Sequence, residues 1–446
     1  MTIHHCSSPF QGARPDGPSV RTYVPEGLDF DFLPEKWRDK GRYLVGHVFV
    51  KHAMEYEEWV PLSSVVMQKV VSHRDYTKIL GLLLDKKNKV LHQNLGFKYQ
   101  AAGPGRAGRC QSFRLDERWL KGGHRTELLT DAGLVKRLLA HREQHRKAAY
   151  FGPVHQHLLS WLYRLKVDPA APHALPLTLI KERQWSPTVC AYGRFHTVLT
   201  KMPAELGEHL RYDGKPLWQV DVSACQPLIA SVLVRDPNWL HADEEYSCYE
   251  EGIKTLEGDG ERGRGGRPIY VMTPLLSSSP EYTSVSELVK MCSDGRVYEH
   301  FVHKLGFPLD HANRNWVKKQ LIQVLCGQDY LVDETAVGRA LKREFPAFCE
   351  GLRRMKVGDH SRASHLLQRA ESYAVIVKAC GRMMRERPRV PLWSIHDSLC
   401  TTQENVAGLK RLLEEEFEAV FGVRPTVKAE SFKARADKAR LRRPQS

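Results

Sequence analysis

The sequence predicts an α+β fold, and three patterns in the chain lead to that prediction. Two short apolar runs, "LWQV" and "VPLWSI", lead up to Asp221 and to the His-Asp pair that contains Asp397. Runs of this length and composition are typical of half-buried strands. Leucine-rich stretches within 130–185 and the segment 314–327 instead have the three- and four-residue spacing of amphipathic helices.

The chain is strongly basic. Its 446 residues include 67 Lys and Arg against 52 Asp and Glu, which gives a formal net charge of +15. This charge makes a phosphate backbone a natural partner. It also promotes adhesion to membranes and acidic proteins, so it does not by itself identify a nucleic-acid-binding protein.

Targeting signals and cysteine spacing favour a cytoplasmic protein without a membrane partner. No apolar run is long enough to span a bilayer, and the N-terminal residues lack the charged-then-apolar pattern of a signal peptide. The ten cysteines are scattered and form no C-x-x-C. We therefore expect reduced thiols rather than a zinc ribbon or a disulfide framework.

Asp221 and Asp397 are the candidate catalytic carboxylates. Phosphoryl transfer at a two-metal site needs carboxylates on rigid elements, because two cations about 3.5–4 Å apart clamp the attacking and leaving oxygens. Taken singly, each aspartate is better interpreted as a turn or helix-cap residue, and the segment between them is what favours the catalytic interpretation.

A predicted helix with one basic face lies between these aspartates. Arg314 and Lys318 are four residues apart, so their side chains lie on one helix face and can bind a triphosphate together. Lys319 adds a further positive charge next to Lys318. The alternative is an ordinary solvated face.

Three segments, "VDVSACQPL", "RNWVKKQLIQVLCG" and "SIHDSL", resemble in order and chemistry motifs A, B and C of family A DNA polymerases and of the related single-subunit phage RNA polymerases. The segments at 192–211 and 366–372 resemble two further segments of the family. The region that contains these segments, roughly 190–400, is about half of the chain. The resemblance implies a right-hand polymerase with an antiparallel-sheet palm, helical fingers and a helical thumb.

The resemblance implies a role for each matching residue. Asp221 and Asp397 would bind two Mg²⁺ ions, or Mn²⁺ in their place, with the main-chain carbonyl of Val222 as a further ligand. Arg314 and Lys318 would bind the incoming triphosphate.

Other matching residues would contact nucleic acid. Arg194 and Gln368 fall where the family follows the primer-template minor groove, and His396 and Lys319 are expected beside the same DNA. Tyr298 lies near a fingers histidine that touches the incoming phosphates in the family. His300 and His303 lie close by, so which of these residues matches the family's histidine stays open.

Two positions depart from the family pattern. Cys326 replaces an aromatic that packs under the nascent base pair. Gln226 stands where DNA polymerases have a glutamate that blocks a ribose 2′-hydroxyl, and where RNA polymerases have a small residue. "IHDS" is closer to the RNA polymerase motif. A bulky side chain under the sugar acts directly on sugar choice, so Gln226 favours deoxynucleotides.

The predicted organisation follows from these segments. In chain order it comprises a flexible lead (1–24), a nucleic-acid-binding region with either a winged hairpin or a plain loop (25–129), a thumb-like helical region (130–190), palm with motif A (191–240), an insertion loop (241–285), fingers with motif B (286–345), palm with motif C (346–432) and a basic tail (433–446).

The sequence thus predicts a DNA polymerase that extends a primer with deoxynucleotides, without proofreading, and that serves phage or mobile-element replication or repair. Its expected partners are DNA primer-template, nucleoside triphosphates and accessory replication proteins. Two alternatives stay open: a single-subunit RNA polymerase or primase, and a non-catalytic replication initiator with a degenerate palm.

Overall fold

A computed structural model describes most of the chain. The described ranges are 20–55, 58–96, 110–148, 152–185, 187–190, 192–236 and 277–441. Parts of four predicted segments lie outside them: the lead before residue 20, residues 101–109 of the region predicted to hold a winged hairpin or a plain loop, the insertion loop before residue 277 and the tail after residue 441. No helix within the described ranges is both long and apolar enough to cross a membrane.

The chain divides into two compact units. The first contains Met1–Ala148 and Pro172–Thr178, and the second contains Ala149–Ala171 and Leu179–Ser446. Both units combine helices with antiparallel strands, which confirms the predicted mixed α and β class.

The first unit contains two small antiparallel sheets. Its strands are β1 (Val20–Pro25), β2 (Val60–Leu62), β3 (Leu91–Gln93), β4 (Gln111–Leu115) and β5 (His124–Leu129). Its helices are α1 (Glu35–Glu55), α2 (Ser64–Val71), α3 (His73–Leu84) and α4 (Ala132–Ala148). Strand β1 pairs with β5, and the other three form a sheet in the order β2-β4-β3.

The second unit is built around a larger antiparallel sheet. The strands of the unit are β6 (Lys166–Val167), β7 (Thr188–Val189), β8 (Phe195–His196), β9 (Leu210–Tyr212), β10 (Lys215–Val222), β11 (Trp393–Ile395), β12 (Ser398–Thr402) and β13 (Val427–Ser431). Strands β7 and β8 pair with each other in a separate two-stranded sheet. The main sheet has the order β11-β12-β10-β9-β6, and β13 also pairs with β10.

The helices of the second unit precede and follow these strands along the chain. They are α5 (Pro153–Leu162), α6 (Leu175–Glu182, which begins in the first unit), α7 (Val198–Lys201), α8 (Cys225–Arg235), α9 (Pro280–Ser293), α10 (Val297–Lys304), α11 (His311–Cys326), α12 (Leu331–Glu334), α13 (Ala336–Glu344), α14 (Pro346–Met355), α15 (Ser361–Ser372), α16 (Gly381–Glu386), α17 (Val406–Phe421) and α18 (Phe432–Leu441).

Two local features of the second unit bear on the candidate active site described below. Strand β10 is central, because β12 and β13 pair along its two edges. Its apolar residues Leu217 and Val220 are buried. A π-helical segment, Tyr373–Cys380, joins α15 to α16 without a break. Such segments are rare in proteins, and those that occur often lie at functional sites.

Candidate active site

The two predicted carboxylates lie at the same end of the main sheet. Asp221 is near the end of β10, and its register partner on β12 is Ser398. Asp397 directly precedes Ser398 in the two-residue turn that joins β11 to β12. His396, the other turn residue, has a φ of +53°, as tight hairpin turns require. The antiparallel pairing therefore brings Asp221 and Asp397, which are 176 positions apart in the chain, to the same end of the sheet.

A chain of hydrogen bonds orients the Asp221 carboxylate. The Ser398 hydroxyl donates to Asp221 Oδ1 at 2.8 Å, and Gln219 Nε2 donates to the Ser398 oxygen at 2.7 Å. Ser398 and Gln219 are buried, so water competes weakly for these bonds. The carboxylate is thus held in one orientation at the sheet edge.

The charges around Asp221 connect the predicted motifs. Burial raises the pKa of Asp221 to about 6, and the negative charge of Asp397 acts in the same direction. The Ser398 hydrogen bond and the positive charges of Lys318 and Arg435 oppose this rise in pKa. Asp397 and Lys318 are therefore close enough to Asp221 to affect its ionisation. Arg435, on α18, was not among the predicted site residues.

Helix α11 presents the predicted triphosphate-binding residues. Asp310 caps its N-terminus by accepting a hydrogen bond from the Asn313 backbone amide at 2.8 Å. Lys318 and Lys319 are exposed, whereas Arg314 is half-buried. Val317 and Leu321 face the core, which confirms the amphipathic pattern of this helix.

Arg314 is held by α10. Its Nε lies 2.5 Å from Oε1 of Glu299, and its guanidinium lies 5.0 Å from the centre of the Tyr298 ring. Tyr298 is only 3 % exposed, and burial raises the pKa of its hydroxyl. The structure places Tyr298 beneath Arg314, where it supports the guanidinium through a cation–π contact.

Glu371 is at the centre of a buried polar network that sequence reasoning missed. Arg194 donates from Nε to Oε1 at 3.0 Å and from its terminal nitrogen to Oε1 and Oε2 at 2.7 and 2.9 Å. Gln226 Nε2 donates to Oε2 at 3.1 Å, and the Cys326 thiol lies 4.0 Å from Gln226 Oε1. The network joins the residues predicted from motifs A and B to Arg194.

The environment of Glu371 is unusual for a carboxylate. Its side chain is 1 % exposed, and burial raises its pKa to about 7. The charge of Asp397 raises it further, while Arg194 and Gln226 lower it. A charged residue inside the apolar run "AESYAVIV" was the sequence signal that could have identified it, because buried carboxylates require partners.

The remaining predicted residues lie around this centre. Gln368 is half-buried on α15, one turn before Glu371. Val222 ends β10 with its backbone paired to Val427. The exposed His396 ring lies 6.1 Å from that of His196.

Lys356 is a second residue that the sequence did not reveal. Its ammonium donates to the Val324 carbonyl in the last turn of α11 at 2.6 Å, and its side chain is 1 % exposed. A cation at a helix C-terminus is stabilising. Lys356 therefore fixes the turn that carries Cys326.

The donor set fits a hard divalent cation. Within the described ranges, no group of three His, Cys, Asp or Glu side chains could hold a metal ion alone. Asp221 and Asp397 nevertheless offer carboxylate oxygens, and the charge of Asp397 adds to the effect of burial in raising the pKa of Asp221. Mg²⁺ is commonly held by one or two carboxylates, with water and substrate phosphates completing its coordination.

The chain can be compared with known protein families, curated proteins and solved structures. No protein-family model and no curated protein matches the chain. A solved structure of the polymerase domain of Pol1 from M. smegmatis, in complex with DNA primer-template and dNTP, aligns over 89 % of this chain and 72 % of its own, at 12 % identity. The TM-score of 0.33 is below the level of a shared fold.

Proposed function

We propose that this chain is a template-directed DNA polymerase with a right-hand arrangement, in which the main sheet of the second unit is the palm and α9–α13 form the fingers. The observation that carries the proposal is that strand pairing brings Asp221 and Asp397 to the same end of the main sheet, where the positive charge of Lys318 on α11 lowers the pKa of Asp221. A protein that only binds DNA gains nothing from paired carboxylates, since they repel phosphate.

The proposed reaction is nucleotidyl transfer. The primer 3′-hydroxyl oxygen attacks the α-phosphorus of an incoming deoxynucleoside triphosphate, the bond to the β-phosphate breaks, and pyrophosphate leaves with the released proton passing to solvent. Asp221, Asp397 and the Val222 carbonyl would hold two Mg²⁺ ions. Bound there, the ions would lower the pKa of the hydroxyl and stabilise developing negative charge.

The protein's own residues position the reactants. Ser398 fixes the Asp221 carboxylate, and Glu299 and Tyr298 hold Arg314. Arg314 and Lys318 would neutralise the charge that accumulates on the departing pyrophosphate. Preorganisation of this kind reduces the reorganisation needed in the transition state.

The Glu371 network supports a preference for deoxynucleotides. Its hydrogen bond with Gln226 restrains that side chain, so Gln226 would block a ribose 2′-hydroxyl more effectively than a mobile side chain. Arg194, Gln368, Lys319 and His396 are proposed to contact the primer-template.

The test is extension of a labelled primer on a DNA template in Mg²⁺, with dNTPs and NTPs supplied separately. We expect extension with dNTPs that stops when the templated nucleotide is withheld. Extension by NTPs alone would assign an RNA polymerase instead. DNA binding without any extension would assign a non-catalytic initiator.

A further inference from the structure

The first unit contains a second arrangement with a recognisable topology. Its elements occur in the order α1, β2, α2, α3, β3, β4, and β4 lies between β2 and β3 in an antiparallel sheet. This order of elements and strands is that of a winged-helix module, in which two successive helices form a helix-turn-helix and a hairpin follows.

Helices α2 and α3 follow each other directly, with a very short and sharp turn between them. A single residue, Ser72, separates them, and its φ of 113° turns the chain sharply. The Ser72 hydroxyl accepts a hydrogen bond from the Asp75 backbone amide and so caps α3. On the buried side of α3, Tyr76, Ile79 and Leu83 face the core of the unit.

The opposite side of α3 is exposed and basic. The exposed residues recur at the spacing of one helix face and are His73, Arg74, Thr77, Lys78 and Gly81. The acidic residue of this helix, Asp75, is turned to the ammonium of Lys40 on α1 at 2.6 Å. The exposed face therefore presents cations without a competing carboxylate from α3.

Gly81 gives an independent indication that a surface approaches this face. Glycine in a helix interior is less stable than alanine. A Cβ built at Gly81 meets no atom within 4 Å, so packing within the described residues does not explain the glycine. A bare backbone on an exposed helix allows close approach of another molecule.

We propose that α3 is a recognition helix that binds in the major groove of double-stranded DNA through Arg74, Thr77 and Lys78. The major groove of B-form DNA, about 12 Å wide, admits an α-helix, whereas that of A-form RNA is too narrow. The charge of the face is complementary to the phosphates that flank the groove. This inference concerns the first unit and is independent of the polymerase proposal.

The experiment measures binding of the full-length protein to a fluorescent DNA duplex whose two ends are closed by hairpin loops, so that no primer terminus is present. The variant Arg74→Ala/Lys78→Ala is compared with Lys121→Ala/Lys136→Ala. The control removes the same charge from two exposed lysines elsewhere in the unit. Fluorescence anisotropy is recorded over a series of salt concentrations.

We expect the α3 variant to bind at least tenfold more weakly than the control. Loss of two phosphate contacts should also reduce the slope of log K against log salt by about 2. Equal affinities and slopes for the two variants would overturn the proposal, and so would equally tight wild-type binding to a duplex RNA of the same sequence.

A second variant tests the close approach at Gly81. Gly81→Leu adds bulk to the exposed face, at a position where the new Cβ meets no atom within 4 Å. It should weaken duplex binding while leaving the thermal unfolding temperature undiminished. Unchanged binding by this variant would contradict insertion of α3 into the groove. Primer extension assayed in parallel separates a failure here from a failure of the polymerase proposal.

Discussion

Ser398 donates a 2.8 Å hydrogen bond to Asp221 Oδ1 from the register position directly opposite it on β12. Backbone pairing and side-chain contact therefore join the same two residues. Because Asp397 precedes Ser398 in the chain, this contact sets the relation between both carboxylates. Ser398 is buried and also accepts from Gln219, so its hydroxyl has a fixed donor direction.

Ser398→Ala should therefore slow nucleotide incorporation. Without the hydroxyl, the Asp221 carboxylate loses its fixed orientation, and we expect kcat to fall about tenfold, the equivalent of ~1.4 kcal/mol, with little change in KM. Single-turnover incorporation measures this. The matched control is Ser394→Ala on the neighbouring strand, whose hydroxyl has no hydrogen-bond partner among the described residues. Equal rates for the two variants would contradict the orienting role.

Arg194 and Glu371 should be strongly coupled in stability. Glu371→Leu leaves the mostly buried Arg194 guanidinium without its carboxylate, and removing one partner of such a pair costs about 3–5 kcal/mol. The double variant Arg194→Leu/Glu371→Leu should lose less than the sum of the two single variants. Urea unfolding of all four proteins gives the coupling free energy. Additivity within about 0.5 kcal/mol would show that the pair does not act as a unit.

Gln226 should control the choice of sugar. Gln226→Ala removes the side chain that Glu371 restrains, so the ratio of kcat/KM for dNTP to that for NTP should fall by tenfold or more. Gln323→Ala, which removes a glutamine from an exposed position on α11, serves as the control. A ratio that stays constant in the alanine variant would place the sugar elsewhere and favour the RNA polymerase alternative.

His155 should make folding stability depend on pH. Burial lowers its pKa from 6.5 to about 4, so between these values the unfolded chain binds a proton that the folded chain does not. The contribution of His155 to the free energy of unfolding is fully present above pH 6.5. It decreases as the pH falls towards 4, by at most about 3 kcal/mol. His155→Leu should flatten this part of the stability curve in urea titrations. An unaltered slope would show that His155 is not the group responsible.

The strands and helices of the site could be predicted because their residues follow regular patterns. The apolar runs before Asp221 and Asp397 are strands β10 and β11, and the predicted basic helix is α11. The turn between β11 and β12 was less evident, since His396 and Asp397 replace the glycine or asparagine usual in two-residue hairpins.

The Glu371 network could not be predicted by the same reasoning. Charged residues are usually exposed, and the partner that permits burial of Glu371 is 177 positions away in the chain. The position of Tyr298 beneath Arg314 likewise depends on how α10 packs on α11. The winged-helix order of elements in the first unit became apparent only with the strand order β2-β4-β3, which no local pattern determines.

The central claim is that Asp221 and Asp397 form the catalytic centre of a DNA polymerase. The most direct test is single-nucleotide incorporation on a DNA primer-template in Mg²⁺ by Asp397→Asn, with Asp213→Asn as control. Asp213 is an exposed turn residue before β10 with a φ of +47°, a conformation that asparagine also tolerates. We predict that the control incorporates dNTP at the wild-type rate while Asp397→Asn is at least a thousandfold slower yet binds DNA normally. Wild-type incorporation by Asp397→Asn would contradict the account.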